Sequence, residues 1–341
     1  MATNQQGSSL SKLDADAREV VEQIAAAGMP PINRLEPFTA RMLPDVAVAA
    51  QAVLGAHLTS RATTPFPEPV GKVDHHVISG NHGEILLRIY TPKGDGPFPV
   101  LVYFHGGGFV IFDLNTYDST CRALTNAADC IVVSVAYHQA PEHKFPAAVE
   151  DAFAAYQWVV NNASAINGDP LRIAVGGESA GGNLAAVTTL VARDQGAPLP
   201  LYQLLVYPMT NYAFDTPSYE ENANAQPLNK PLMQWFWEHY LASDTDGQNP
   251  YASPLRAQNL SGLPPAMVIT AEVDPLRSEG EAYANRLREA GVPVVHKHYD
   301  GVMHEFFSMP AVIDKAQQAV SDAASELKTA FGSTTRSVGQ A

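Results

Sequence analysis

Apolar positions along the chain fall into short runs that are separated by longer segments. After a hairpin-like region, five runs cover residues 99–104, 130–136, 172–175, 202–207 and 266–270, and residues 292–299 are a later candidate. Several runs are continuous rather than alternating, which is typical of parallel strands that are covered on both faces. Helical periodicity lies between the runs, over residues 147–161, 183–193 and 278–290. This alternation predicts an α/β fold with a mostly parallel, doubly wound sheet and helices on both of its faces.

The N-terminal third of the chain has a different pattern. Residues 11–28 predict an amphipathic helix, with Ser11 and Asp14 as a capping box and Gly28 as its stop, and residues 44–54 predict a second helix. Prolines at 65, 67 and 69 indicate a linker. Residues 73–79 and 84–90 alternate and flank a Gly-Asn-His-Gly sequence at 80–83, which predicts a hairpin.

A long insertion interrupts the alternation of strands and helices between residues 208 and 266. It contains a helical stretch at 229–241, with Asn229 as its N-cap and aromatic residues on more than one face. Insertions of this kind are often lids, and packing within the lid explains the aromatic cluster better than direct substrate contact does. The pattern therefore predicts a lid within this insertion.

Composition excludes several classes of protein. The 341 residues include 21 Lys and Arg against 35 Asp and Glu, which gives a net charge of −14. So acidic a chain is a poor binder of nucleic acid or of an anionic membrane. No signal-peptide pattern opens the sequence and no apolar run is long enough to span a bilayer, so we expect a soluble, cytoplasmic protein. The two cysteines lack the spacing of a zinc or redox site.

The candidate nucleophile is Ser179, within Gly177-Glu178-Ser179-Ala180-Gly181. An apolar run precedes this stretch and a small-residue helix follows it, which is the layout of a nucleophile elbow. The motif alone is weak evidence, because an ordinary glycine-rich turn has the same composition. Its value depends on whether the rest of the chain supplies a base, an acid and an oxyanion hole.

Those partners are present in the order that the elbow requires, Ser, then Asp or Glu, then His. His105 opens a run of three glycines after a buried strand, and the backbone N–H groups of this loop, with that of Ala180, are candidate oxyanion donors. We interpret His105 itself as an anchor of the loop. Asp274 is the candidate acid, with Glu272 and Asp300 as rivals, and His304 is the candidate base. A metal site at His296 and His298 is disfavoured because no third ligand is nearby.

These motifs together resemble the hormone-sensitive-lipase-type (bacterial family IV) esterases of the α/β-hydrolase superfamily. The resemblance covers residues 70–325 and includes the stretches at 105–108, 177–182, 137–148, 251–255, 274–276 and 304–307. It implies a triad of Ser179, Asp274 and His304, and an oxyanion hole formed by the N–H groups of Gly107, Gly108 and Ala180, with Gly106 shaping the loop. It also implies a domain organisation of N-terminal cap helices at 1–55, a catalytic core at 56–210 and 246–335, and a cap insertion at 211–245. The chain departs from the family pattern at Glu178, His138 and Gln139.

The predicted function is hydrolysis of carboxylic esters with short- to medium-chain acyl groups, through an acyl-enzyme intermediate and without a metal or cofactor. An amidase or a lactone or arylester hydrolase on the same triad is the main alternative. A non-catalytic small-molecule receptor on this fold typically lacks the histidine that stands here at 304. The predicted partner is a small-molecule ester, and a homodimer could form through the strand at 292–299 if it lies at a sheet edge.

Overall fold

The buried apolar runs form one eight-stranded sheet. The computed structural model describes residues 9–57 and 67–333, and its strands occur in the order β1-β2-β4-β3-β5-β6-β7-β8. They are β1 (Lys72–Gly80), β2 (Gly83–Thr91), β3 (Phe98–Phe104), β4 (Ile131–Ala136), β5 (Gly168–Glu178), β6 (Gln203–Val206), β7 (Ala266–Val273) and β8 (Val294–Met303). The pairs from β4 to β8 are parallel, whereas β2 is antiparallel to both β1 and β4. The predicted hairpin and the mostly parallel sheet are confirmed.

Strand β5 is longer than the sequence pattern indicated. It begins at Gly168 and ends at Glu178 rather than covering 172–175 alone. Gly168 pairs with Phe98 of β3, and the register then shifts before Val100 pairs with Ile173. The shift lies between the two paired parts of β5. The apolar pattern of the sequence therefore indicates only the part after the shift, where the residues are buried.

Besides a helical turn at residues 9–12, the described residues contain ten α-helices. They are α1 (Ala15–Ala26), α2 (Pro37–Arg41), α3 (Val46–His57), α4 (Asp118–Ala128), α5 (Ala147–Asn162), α6 (Ala180–Asp194), α7 (Pro217–Glu221), α8 (Lys230–Tyr240), α9 (Arg277–Glu289) and α10 (Asp314–Ser333). The sequence did not predict α4 or α10, which pack against each other. In α4 the buried face includes Thr120 and Thr125, and these polar residues weaken the apolar periodicity.

The sheet is buried on both faces, as its continuous apolar strands predicted. All seven residues of β3 are buried. Val100, Val102 and Phe104 belong to the core that contains residues of α5, α6 and α9. Leu101 and Tyr103 belong to the opposite core, which contains residues of α1, α4 and α10. The strand alternation therefore divides the interior into two layers around the sheet.

The N-terminal helix is present, but its predicted start is wrong. Residues 9–12 form a separate helical turn, and α1 begins after Asp14, whose side chain makes no capping hydrogen bond. The Asp14 carboxylate instead lies 2.7 Å from Nζ of Lys315, and its backbone N–H donates to the carbonyl of Gly301. A long-range ion pair thus replaces the local capping box. Gly28 follows the helix with a φ of +62°, as expected for a stop.

Two predicted boundaries lie close to residues 58–66, which are outside the described ranges. Helix α3 ends at His57 rather than near residue 54, and Pro65 of the predicted linker lies outside the described residues. At the other end of the chain, α10 continues to Ser333, and Phe331 near its end is buried in the apolar core. Residues 334–341 lie outside the described residues.

The insertion contributes α7 and α8, and Asn229 caps α8 as predicted. Its Oδ1 accepts a hydrogen bond of 3.0 Å from the backbone N–H of Leu232. Trp235, Phe236, Trp237 and Tyr240 of α8 are all buried. The ring of Tyr240 stacks on Phe109, which follows the glycine loop, with a centroid distance of 3.7 Å. Most of the aromatic cluster therefore packs the insertion onto the core.

Candidate active site

Ser179 stands at the sharp turn between β5 and α6. Its φ of +56° and ψ of −117° are uncommon for a residue with a side chain. The backbone N–H of Ser179 donates to the carbonyl of Val206, and the carbonyl of Ser179 accepts from Met209, so neighbouring strand ends hold the turn. A Cβ at Gly177 would overlap the backbone of Gly181. The motif therefore needs glycine at this position so that strand and helix can pass closely.

His304 joins Ser179 to Asp274 through two hydrogen bonds. Its Nε2 lies 3.0 Å from Oγ of Ser179, and its Nδ1 lies 2.8 Å from Oδ2 of Asp274. The exposed fractions are 4%, 2% and 0% for Ser179, His304 and Asp274, so water does not compete for these contacts. An ionised carboxylate only accepts, so Nδ1 carries the proton and Nε2 is left to accept from the serine hydroxyl. This tautomer is the one that a general base needs.

The backbone fixes both partners of Ser179 at the ends of neighbouring strands. Asp274 directly follows β7, and its Oδ1 accepts a hydrogen bond of 2.8 Å from the N–H of Leu276. The N–H of His304, just after β8, donates to the carbonyl of Val273. Parallel strands end at one edge of the sheet, which brings together residues that are distant in sequence.

The two rival acids lie elsewhere. The Oε2 atom of Glu272 accepts a hydrogen bond of 2.8 Å from the backbone N–H of Gly301. The side chain of Asp300 is 82% exposed and lies 3.2 Å from Nε2 of His298. Neither carboxylate has a described hydrogen bond to His304, in contrast to Asp274.

The pKa of His304 is raised by the protein. Burial opposes the charged imidazolium, but the adjacent carboxylate of Asp274, its hydrogen bond and the nearby Glu305 outweigh the burial. His304 is therefore a stronger base than a histidine buried without anionic neighbours.

The glycine loop after β3 turns toward the same place. Gly107 and Gly108 have φ values of +96° and +59°, a backbone conformation that favours glycine. A Cβ at Gly107 would overlap the carbonyl of Ile111, and one at Gly108 would overlap the ring of Phe236. Both glycines line one cavity together with Ser179 and His304. Ala180 is the first residue of α6, where backbone N–H groups lack intrahelical partners.

His105 is buried, and its described hydrogen bonds join it to its own loop and to Tyr137. Its Nδ1 lies 2.8 Å from the carbonyl of Gly106, and its ring stacks on Tyr137 at a centroid distance of 4.4 Å. The Tyr137 hydroxyl donates to the carbonyl of His105. Burial lowers the pKa of His105 to about 4, so the ring is neutral near pH 7. It anchors the loop through neutral contacts.

A cavity of about 560 Å³ opens at Ser179. Its walls come from the N-terminal segment, the glycine loop and the insertion, and they are mostly apolar. Representative residues are Ile24, Met29, Leu43, Phe112, Leu232 and Phe236. The predicted cap segments therefore both contribute to the cavity.

Arg41 holds the N-terminal segment against the core, a role that the sequence analysis did not predict. Its guanidinium donates to the carbonyls of Val110 and Ala140 at 2.7 and 2.6 Å. It also forms a two-pronged pair with Glu142, at 2.8 and 2.7 Å. Such planar, charge-assisted contacts fix orientation as well as position. Helix α2 is thereby held beside the segment that follows the glycine loop.

Two buried acids lie directly beside Ser179 and His304 in the sequence, and the sequence analysis assigned neither of them a role in the site. Glu178 is fully buried and accepts hydrogen bonds from the hydroxyls of Tyr103 and Tyr207. Glu305 is 5% exposed and accepts from the hydroxyl of Tyr117 at 2.9 Å. The available sequence signal was the presence of a glutamate directly beside the serine and another beside the histidine, each followed by small or apolar residues.

No metal site or membrane-spanning helix is found in the described part of the chain. Within residues 9–57 and 67–333, no group of three or more His, Cys, Asp or Glu side chains is arranged to hold a metal ion. His296 and His298 both contact the hydroxyl of Thr270, at 2.9 and 3.0 Å. Over the same residues, no helix is long and apolar enough to cross a bilayer.

Comparison with known proteins gives consistent matches. Residues 101–308 match a family model described as the alpha/beta hydrolase fold. The chain is 46% identical over 251 residues to the carboxylic ester hydrolase LipN of Mycobacterium tuberculosis, covering 72% of this chain and 67% of that protein. It is 39% identical to the carboxylesterase NlhH of the same species, covering 82% and 89%.

A similar solved structure is that of the hyperthermophilic esterase from Pyrobaculum calidifontis. It is 41% identical to this chain, with a TM-score of 0.84, and the match covers 93% of this chain and 98% of that one. At this identity the match extends beyond a shared fold to related sequences.

Proposed function

The chain belongs to the hormone-sensitive-lipase-type branch of the α/β-hydrolase fold family and is a carboxylesterase, and we propose that Ser179, His304 and Asp274 are its catalytic triad. The observation that carries the proposal is the continuous pair of hydrogen bonds, of 3.0 and 2.8 Å, from Ser179 through His304 to Asp274. Ser179 and His304 line a cavity, and Gly107 and Gly108 of the glycine loop line the same cavity.

The proposed reaction has two halves. Ser179 Oγ attacks the ester carbonyl carbon while its proton passes to Nε2 of His304. The imidazolium then protonates the leaving alkoxide, which departs as the alcohol and leaves an acyl-enzyme. Water attacks the acyl-enzyme, gives its proton to Nε2, and the carboxylic acid leaves as Ser179 recovers a proton. Asp274 holds the tautomer and stabilises the imidazolium without taking the proton.

The tetrahedral oxyanion of each half is proposed to lie against the N–H groups of Gly107, Gly108 and Ala180. The left-handed conformations of the two glycines and the helix start at Ala180 support this assignment. Each such donor contributes about 3–4 kcal/mol to stabilisation of the transition state.

The alternative activities share the triad and differ in the leaving group. We expect hydrolysis of p-nitrophenyl butyrate to exceed that of the matching p-nitroanilide by at least about 10²-fold in kcat/KM, since amides have the poorer leaving group. The measurement is a parallel assay of both compounds at one pH. Comparable rates would favour the amidase, and a preference for γ-lactones over open-chain alkyl esters would favour the lactone hydrolase. Turnover of phenyl esters without detectable turnover of alkyl esters would favour the arylester hydrolase.

We propose that the substrates are uncharged esters with short- to medium-chain acyl groups. The cavity of about 560 Å³ is bounded by the N-terminal segment and the insertion, and its ionisable lining residues other than His304 are the carboxyl groups Asp45 and Glu305. In a series of p-nitrophenyl esters we expect kcat/KM to peak well below about ten acyl carbons, as pockets of this size suit small ligands. An optimum at palmitate, or a preference for hemisuccinate esters, would contradict this.

The cap and the homodimer are also proposals. The cap would comprise residues 1–55 and 211–245, supported by the cavity walls that both segments provide. Strand β8 lies at the edge of the sheet, and among the described strands it pairs with β7 alone. A second copy could pair with its outer edge, which sedimentation equilibrium would test through the molar mass in solution.

A further inference from the structure

Two buried glutamates lie beside the triad, outside the proposed reaction steps. Glu178 ends β5 and directly precedes Ser179, and Glu305 directly follows His304. Both are shielded from bulk water, with exposed fractions of 0% and 5%. Buried carboxyl groups are rare without a specific partner, because removing their charge from water is costly. Each of these two carboxyl groups therefore needs a specific partner in the interior.

Glu305 faces the nitrogen of His304 that would receive the serine proton. Its Oε1 lies 3.8 Å from Nε2 of His304. Its other oxygen, Oε2, accepts a hydrogen bond of 2.9 Å from the hydroxyl of Tyr117. Glu305 also lines the cavity next to Ser179 and His304. The imidazole thus has one carboxylate at each nitrogen, Asp274 in hydrogen-bond contact and Glu305 one step farther away.

The distance of Glu305 matters as much as its presence. At a charge-assisted hydrogen-bond distance, about 2.7–2.9 Å, a carboxylate at Nε2 would keep the ring protonated and remove the base from Ser179. At 3.8 Å it attracts the imidazolium while Nε2 still accepts from the serine hydroxyl. The Tyr117 hydroxyl holds the carboxylate at this distance. Tyr117 is itself fully buried, and a Cβ at Gly106 would overlap its hydroxyl, so the glycine loop confines it.

The two glutamates differ in the groups that surround them. Burial first, and then the charge of Glu305, raise the pKa of Glu178 to about 8. Glu178 is therefore mainly protonated at neutral pH. Burial also raises the pKa of Glu305, but the positive charge of His304 and the hydrogen bond from Tyr117 oppose this rise. Of the two acids, Glu305 is the one with a cationic neighbour.

Other titratable groups face this part of the site from each packed element. They are Asp274 after β7, Tyr207 after β6, Glu178 at the end of β5, Tyr117 before α4, and Asp45 of the N-terminal segment. Burial raises the pKa values of Tyr207 and Tyr117, so both hydroxyls are neutral near pH 7, and Glu178 is mainly neutral as well. The anions that act on His304 are Asp274 and Glu305.

We propose that Glu305 is a positioning residue for the hydrolysis: its carboxylate, restrained by Tyr117, stabilises the imidazolium of His304 that forms when Ser179 gives up its proton. The proposal rests on the triad proposed above. Glu305 takes no proton in the cycle, because the proton moves from Oγ to Nε2 and then to the leaving alkoxide. Its effect is electrostatic and acts through His304.

The test is the pH profile of Glu305→Gln, which retains an oxygen for Tyr117 and removes the charge. Glu305 raises the pKa of His304, so its neutralisation lowers that pKa and moves the acid limb of kcat/KM to lower pH. We expect a shift of about one unit and a fall in plateau kcat of about tenfold, since one pKa unit corresponds to a factor of ten. We expect KM to change less than about twofold, as for a group that acts in the transition state.

Two further variants separate charge from shape. Tyr117→Phe removes the restraint, so the carboxylate can approach Nε2, and we expect the acid limb to move to higher pH. Glu305→Asp keeps the charge and should restore most of the wild-type acid limb. Asp300→Asn is the matched control, because that carboxylate is close in sequence but exposed, and its profile should equal that of the wild type.

The opposite shifts distinguish this role from a purely structural one. An unchanged or raised acid limb in Glu305→Gln would overturn the proposal, whatever happens to kcat. Should that variant fail to fold, as judged by thermal unfolding, an unmoved acid limb in Tyr117→Phe would overturn it. Labelling with a p-nitrophenyl phosphonate separates the two proposals: failure to label Ser179 in the wild type refutes the triad, whereas labelling with unmoved profiles refutes only the role of Glu305.

Discussion

Replacing Ser179 by alanine is expected to lower kcat for p-nitrophenyl butyrate by about 10⁶-fold, the loss typical of removing a serine nucleophile. The variant retains His304, Asp274 and the glycine loop but has no Oγ to form the acyl-enzyme. Alanine keeps the Cβ that the turn already accommodates at a φ of +56°, so the fold should be preserved. The rate is measured beside the wild type, with thermal unfolding to verify that both are folded.

A matched control comes from another buried serine. Ser134 lies in β4, is fully buried and does not line the cavity, so Ser134→Ala should retain wild-type turnover. Labelling by a p-nitrophenyl phosphonate should add one adduct at Ser179 in the wild type and in Ser134→Ala, and none in Ser179→Ala. Retention of more than about 1% of activity in pure, folded Ser179→Ala would contradict a covalent role that is worth several orders of magnitude.

The sequence predicted the backbone features of the site because local sterics dictate them. A strand-to-helix turn this tight tolerates no Cβ at Gly177, and the loop at Gly107 and Gly108 requires positive φ. These constraints leave a local signature of glycines at fixed offsets from a strand end. Asp274 and His304 were identifiable for a related reason, because each follows a strand whose carboxyl end faces the same edge of the sheet.

The side-chain relations around the triad left no such signature. Tyr117 and Glu305 are 188 residues apart in the sequence. The groups that accept hydrogen bonds from Arg41 are 69 to 101 residues away from it. Periodicity and motif spacing cannot pair residues at these separations, because the pairing is set by how helices and loops pack on the sheet. The start of α1 was misread in the same way, since Asp14 pairs with Lys315 rather than with its own helix.

Replacing Asp274 by asparagine is expected to lower kcat by about 10⁴-fold, far more than the loss expected for Glu305→Gln. Oδ2 of Asp274 accepts from Nδ1 of His304 at 2.8 Å. An amide can turn its NH₂ group toward Nδ1, which would place the ring proton on Nε2 and leave no acceptor for the hydroxyl of Ser179. The measurement is kcat/KM from about pH 6 to 10, since hydroxide can partly replace the lost base and the residual rate should rise with pH.

The two rival acids provide the controls for this prediction. Glu272→Gln keeps an oxygen that can accept from the N–H of Gly301, and Asp300→Asn alters an exposed side chain. The kcat of both variants should stay within about threefold of the wild-type value, because neither substitution disrupts the site. A large loss in either one, with Asp274→Asn near wild-type activity, would transfer the acid role to that residue. The contrast is sharp because all three carboxylates lie near the last two strands, yet of the three only Asp274 accepts a described hydrogen bond from the imidazole of His304.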